Sequence, residues 1–92
     1  LTIVQDDEFI INLKKIFRFI SKDSKNKAKA FNSVLYAKIH NLSTSPYKYR
    51  KSLYFDDIHV RDMIFKGYTI PYLIDEHNNV IVILDIFKWI DK

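Results

Sequence analysis

Apolar positions along this chain change period once, near its middle. Up to residue 42 they recur every three or four positions, first as Phe9, Leu13, Ile16, Phe17 and Ile20, then as Ala28, Phe31, Leu35, Ile39 and Leu42. Each stripe predicts an amphipathic helix. Asp6, Asp7 and Glu8 place negative charge at the start of the first helix, Lys14, Lys15 and Arg18 lie on its polar side, and it ends near Ser21. Ser24 is a suitable cap for the second, and the short Lys22–Asp23 link implies an antiparallel hairpin. Ser43-Thr44-Ser45-Pro46 stops the second helix. Ahead of both, Leu1 to Val4 reads as a first strand.

Beyond residue 51 the pattern belongs to strands. Ser52 to Phe55 reads as a short extended piece, interrupted by Asp56-Asp57; Arg61 to Phe65 and Tyr68 to Ile74 form a hairpin about Lys66-Gly67. Glu76 to Asn79 is the next turn, and Val80 to Phe87 the longest apolar strand. Simple alternation places Val80, Val82, Leu84 and Ile86 on one face and Ile81, Ile83, Asp85 and Phe87 on the other. Two apolar faces imply a central strand whose second face is covered in part by a partner. Pro71 has no N–H to donate, which predicts a bulge or an edge beside it. The expectation is one α+β domain over residues 1–92: an N-terminal strand and a two-helix antiparallel hairpin packed on an antiparallel sheet.

With 48% apolar residues, seven Phe, six Tyr and one Trp, the chain has ample material for a core, so disorder is not expected. There is no cysteine, which removes disulfides, iron–sulfur clusters and thiolate zinc sites together. No apolar run approaches the ~20 residues that span a bilayer, and the cytoplasm is the expected location. The net charge of +4 conceals a strong asymmetry: residues 14–51 hold eleven Lys or Arg against the single Asp23. That block favours an acidic partner.

The candidate chemistry is basic and aromatic. Lys48, Arg50 and Lys51 alternate with Tyr47, Tyr49 and Tyr54, a pattern suited either to stacking bases and neutralising phosphates or to a half-buried edge strand. Arg61 has a planar fork that clamps a phosphate or a carboxylate; its structural alternative is a cross-strand pair with Asp75 or Asp85. His59 lies near this pool and reads as a loop or strand-start residue, His40 as a complement to a helix C-terminus, and His77 as a turn residue. The three are too scattered for a metal site. Trp89 reads as an interface or core anchor.

The segment Val60-Arg61-Asp62-Met63-Ile64-Phe65-Lys66-Gly67-Tyr68-Thr69-Ile70-Pro71-Tyr72-Leu73-Ile74-Asp75, followed by Val80 to Phe87, resembles the RelE/ParE family of bacterial type II toxin–antitoxin toxins. The shared pattern is an Arg-led strand, a Gly-Tyr strand ending in an acid, and a last apolar strand running into a basic or aromatic tail. The resemblance implies a growth inhibitor that binds proteins, is neutralised by a cognate antitoxin, and needs neither metal nor other cofactor. RelE-like members cut mRNA on the ribosome; ParE-like members inhibit DNA gyrase and lack the nuclease residues. Thr69 stands where the family usually has Arg, and Phe87 and Trp89 stand at the positions of a His-x-Arg ending. The ParE-like reading follows, with Arg50, Arg61, Phe87, Lys88 and Trp89 as the partner-binding residues. A RelE-like activity would instead rest on Lys51, Arg61 and Lys88 as the catalytic set.

Overall fold

The computed structural model describes residues 1–88; Trp89, named above, lies outside the described residues. The chain runs through β1 (Thr2–Gln5), α1 (Asp7–Asp23), α2 (Lys25–Asn41), β2 (Val60–Phe65), β3 (Tyr68–Asp75), β4 (Val80–Ile83) and β5 (Phe87–Lys88). Asp6 caps α1, its carboxylate accepting from the Glu8 amide at 2.9 Å. The two helices are joined by Ser24 alone. Its amide donates to Ile20 O and its hydroxyl accepts from the Lys27 amide at 3.2 Å, so one residue closes α1 and opens α2. The hairpin is therefore tighter than the Lys22–Asp23 link suggested, and α1 runs through both of those residues.

The sheet has the order β1-β4-β3-β2, and β5 pairs with β3. β2, β3, β4 and β5 pair antiparallel, while β1 enters parallel to β4. The expected architecture of strand, helical hairpin and sheet is present, with this one parallel pairing added. Lys66 (φ 50°) and Gly67 (φ 83°) turn the β2–β3 hairpin with two positive φ values, the geometry whose twist matches the flanking strands.

The long last strand expected over Val80 to Phe87 is broken. Ile83 lies opposite Tyr72 and Phe87 opposite Thr69, so this strand advances four residues where β3 advances three. The extra residue is a bulge, and it reverses which side chains face the helices. Ile81, Ile83 and Ile86 are buried in the core, whereas Phe87 shares the other face with Thr69. The simple alternation is thus corrected: Ile86 and Phe87 exchange faces. Pro71 accounts for the position of the break. The Leu84 amide donates to its carbonyl at 2.9 Å. Since N and C=O of an extended residue point the same way, the donor that proline lacks is missing where the partner strand leaves the ladder.

Phe9, Leu13, Phe31, Leu35, Ile39 and Leu42 from the helical segments meet Met63, Phe65, Tyr68, Ile70, Tyr72 and Ile74 from the sheet in one buried core. Phe31 anchors it, with ring centroids 5.2 Å from Phe65 and 5.6 Å from Tyr68. The far face is covered in part by the chain itself. Residues 42–59 pass from the end of α2 around β2, where Leu53 N donates to Asp62 and the Tyr54 ring stands edge-on to Phe87 at 5.1 Å. No strand forms over Ser52–Phe55, because only Lys51 makes a bridge and Leu53 to Asp56 are bends. Part of the cover ascribed to a partner is therefore internal.

Candidate functional site

Two surfaces gather the residues singled out in the sequence. The first lies where residues 46–51 meet β2. Lys51 and Arg61 are directly opposite in an isolated antiparallel bridge, flanked by Asp62 N to Arg50 O (3.2 Å) and Ser52 N to Val60 O (2.9 Å). That arrangement is the non-hydrogen-bonded type, in which facing side chains come closest. Arg61 also faces Tyr72 across β2–β3. Its guanidinium carbon lies 4.9 Å from the centroid of the Tyr47 ring, and its Nη1 donates to the Tyr49 carbonyl at 3.2 Å. Its Nε is buried without a hydrogen-bond partner among the described residues.

The aromatic scaffold beneath Arg61 is itself fixed. The Tyr72 hydroxyl donates to Pro46 O at 2.6 Å, and Tyr49 meets Tyr72 edge-on at 6.4 Å. Burial, then the neighbouring Tyr49, holds the Tyr72 phenol well above its ordinary range. The Tyr47 hydroxyl donates to Glu76 at 2.8 Å, and that bond raises its pKa too. Lys48 Nζ stands 5.3 Å from the Tyr49 ring centroid.

The acids expected beside Arg61 are engaged elsewhere. Asp75 accepts from the side chain of Asn78 at 2.8 Å and from its amide at 3.1 Å, contacts that hold its carboxyl below the usual range. Asp85 accepts from Asn12 at 2.7 Å. Arg50 is directed at Asp62, Nη2 to Oδ2 being 3.7 Å. Among the described residues, Lys48, Lys51 and Arg61 have no carboxylate within salt-bridge distance.

The second surface is a cleft of about 390 Å³ between α1 and β5, lined by Asn12, Lys15, Ile16, Phe19, Tyr68, Ile86, Phe87 and Lys88. Phe19 is 64% exposed there, and Lys88 Nζ lies 5.9 Å from its ring centroid. Phe19 was missed in the sequence, because it lies outside the stripe of α1; the available signal was an aromatic residue on an otherwise polar side.

The structure joins Lys51 to Arg61 and separates both from Lys88. Lys88 pairs with Tyr68 and Arg61 with Tyr72, four residues apart along β3, or ~13 Å. His59 is an exposed loop residue, its Nδ1 3.2 Å from Asp57, and His40 lies in the last turn of α2. His77 lies in the β3–β4 turn. No group of three or more His, Cys, Asp or Glu that could hold a metal occurs among the described residues. No helix among them is long and apolar enough to cross a membrane.

Comparison with known proteins bears on the whole arrangement. The family model for the ParE toxin of the type II toxin–antitoxin system parDE matches residues 3–88. Among solved structures, a chain of the chromosomal ParDE TA system from P. aeruginosa is similar with a TM-score of 0.77 over 96% of this chain and 95% of that one, at 15% identity. No curated protein matches.

Proposed function

Because this chain belongs to the ParE toxin family of type II toxin–antitoxin systems, we propose that it arrests growth by binding DNA gyrase in the cytoplasm, without cutting RNA. As a toxin of such a system it has a cognate antitoxin as partner. The observation that carries the gyrase reading is the division of the candidate nuclease set. A metal-independent ribonuclease needs its base, acid and phosphate-binding cations around one phosphate. Here Lys88 lies ~13 Å along the sheet from Arg61, and the nearest histidine in sequence, His59, is turned to Asp57.

On this reading, Phe19, Phe87 and Lys88 at the α1–β5 cleft form the target-facing surface: an exposed aromatic, a half-buried one and a cation. The purified protein should inhibit gyrase supercoiling at micromolar concentration, and expression without antitoxin should arrest growth while mRNA stays intact. Cleavage of mRNA in the ribosomal A site, lost on Arg61→Ala, would replace this reading with the RelE-like one. The Lys51–Arg61 pair is the observation favouring that alternative.

A further inference from the structure

We propose that Arg61, Lys51 and Lys48 form an anion site that takes the carboxylates of an acidic segment of the cognate antitoxin. Two cations facing each other in a non-hydrogen-bonded pair repel, and like charges directly opposite destabilise a sheet edge. No carboxylate among the described residues lies within salt-bridge distance of Lys48, Lys51 or Arg61. Glu76, the acid tied to this scaffold, is held by the Tyr47 hydroxyl. The repulsion within the free toxin is thus left for an incoming anion to relieve.

The site is also held ready. The Tyr47 ring lies against the Arg61 guanidinium, the Tyr49 carbonyl fixes Nη1, and Tyr72 secures the segment through Pro46 O. A fork fixed before binding loses little rotamer freedom when a carboxylate arrives.

The same contacts select the ligand. Single-stranded nucleic acid would need free aromatic faces for its bases. Tyr47, though 39% exposed, has one ring face against Arg61 and its hydroxyl on Glu76, and Tyr49 is half-buried, edge-on to Tyr72 and in contact with Lys48, so no pair of open faces is offered to successive bases. Carboxylates need only the cations. The basic block of residues 14–51 extends the complementarity beyond the site and suits an acidic segment lying along the molecule. The antitoxin as occupant rests on the toxin family reading; the anion site does not.

Titration of the free toxin with fluorescein-labelled hexaglutamate, read by anisotropy at low salt, tests the site. The expected result is binding that weakens about tenfold in Lys48→Ala/Lys51→Ala and in Arg61→Ala, but not in Lys29→Ala/Lys38→Ala on α2. Both double variants alter exposed lysines, so the comparison holds even if Arg61→Ala is poorly folded. Wild-type affinity in Lys48→Ala/Lys51→Ala, equal loss in the α2 pair, or tighter binding of labelled hexathymidylate would overturn the proposal. The purified toxin–antitoxin complex should not bind hexaglutamate; binding as tight as that of the free toxin would overturn the assignment of the antitoxin to this site. A growth-arrest assay reports on the toxin reading separately, because the titration requires no toxicity.

Discussion

Asp62 and Arg50 form an unequal pair: the carboxylate side chain is wholly buried, whereas the arginine 3.7 Å away is half exposed. Asp62 also accepts from Leu53 N at 3.0 Å, and its Oδ1 has no partner among the described residues. Both partners belong to the segment wrapped around β2, so this carboxylate fastens that segment to the sheet. Removing Arg50 leaves a buried charge without its cation, while Asp62→Asn removes the charge and keeps an acceptor for Leu53 N. Arg50→Ala should therefore cost more, about 1–3 kcal/mol, than Asp62→Asn. Urea denaturation of the two variants decides it, and the reverse order would contradict the account.

Alkaline stability should depend on Tyr72. Burial first, and Tyr49 next, raise its pKa, so the native state keeps this proton longer than the unfolded chain does. The associated stability is complete below the ordinary phenol value of ~10 and is lost as pH rises through the higher native value. Tyr72→Phe should cost about 1–2 kcal/mol at neutral pH, because Pro46 O loses its donor. The same variant should lose less stability above pH ~10. Unfolding free energies measured across that range would show an unchanged alkaline slope if this is wrong.

The joint between the helices offers a third test. Ser24→Ala removes the acceptor for Lys27 N and should cost about 1 kcal/mol, a fall in Tm of roughly 4–8 °C for a domain of this size. Calorimetry measures it directly. Ser24→Asn should restore most of the loss, because asparagine supplies an equivalent capping oxygen.

Gly67→Ala isolates a backbone effect. A Cβ at this position would meet nothing within 4 Å, so the cost comes from φ +83° alone. About 1–2 kcal/mol is expected by thermal or urea unfolding. A larger value would mean that the β2–β3 register had shifted.

At the α1–β5 cleft, Phe19→Ser with Lys88→Glu should abolish growth arrest and gyrase inhibition. Phe19 is largely exposed and Lys88 lies on the surface, so stability should change by no more than about 0.5 kcal/mol per site. Full gyrase inhibition by the folded double variant would remove this surface from the proposed function.

How far these features were legible in the sequence varies with their periodicity. The α2 stripe, from Ala28 to Leu42, is buried throughout, since five apolar residues at helical spacing leave little choice of face. The bulge between Ile83 and Phe87 was hidden, because apolar residues occupy both faces there, and Asp85, which simple alternation sets on the face of Ile81 and Ile83, is the one polar residue between them that a one-residue slip moves. Pro71 signalled it, though on the neighbouring strand. Lys51 and Arg61 were recognised as candidates, but their pairing depends on residues 42–59 returning to β2. That path has no period to read and is set by single contacts such as Tyr72 to Pro46 O.

The single-residue joint at Ser24 also has a mechanical consequence. With Ser24 alone, in extended conformation (φ −160°, ψ 124°), between α1 and α2, the joint has no slack: an inserted residue would separate the α1 C-cap from the α2 N-cap and loosen the placement of the Phe31–Leu35–Ile39 stripe over Phe65 and Tyr68. The shortness of the joint thus limits the ways in which α2 can be laid across the sheet.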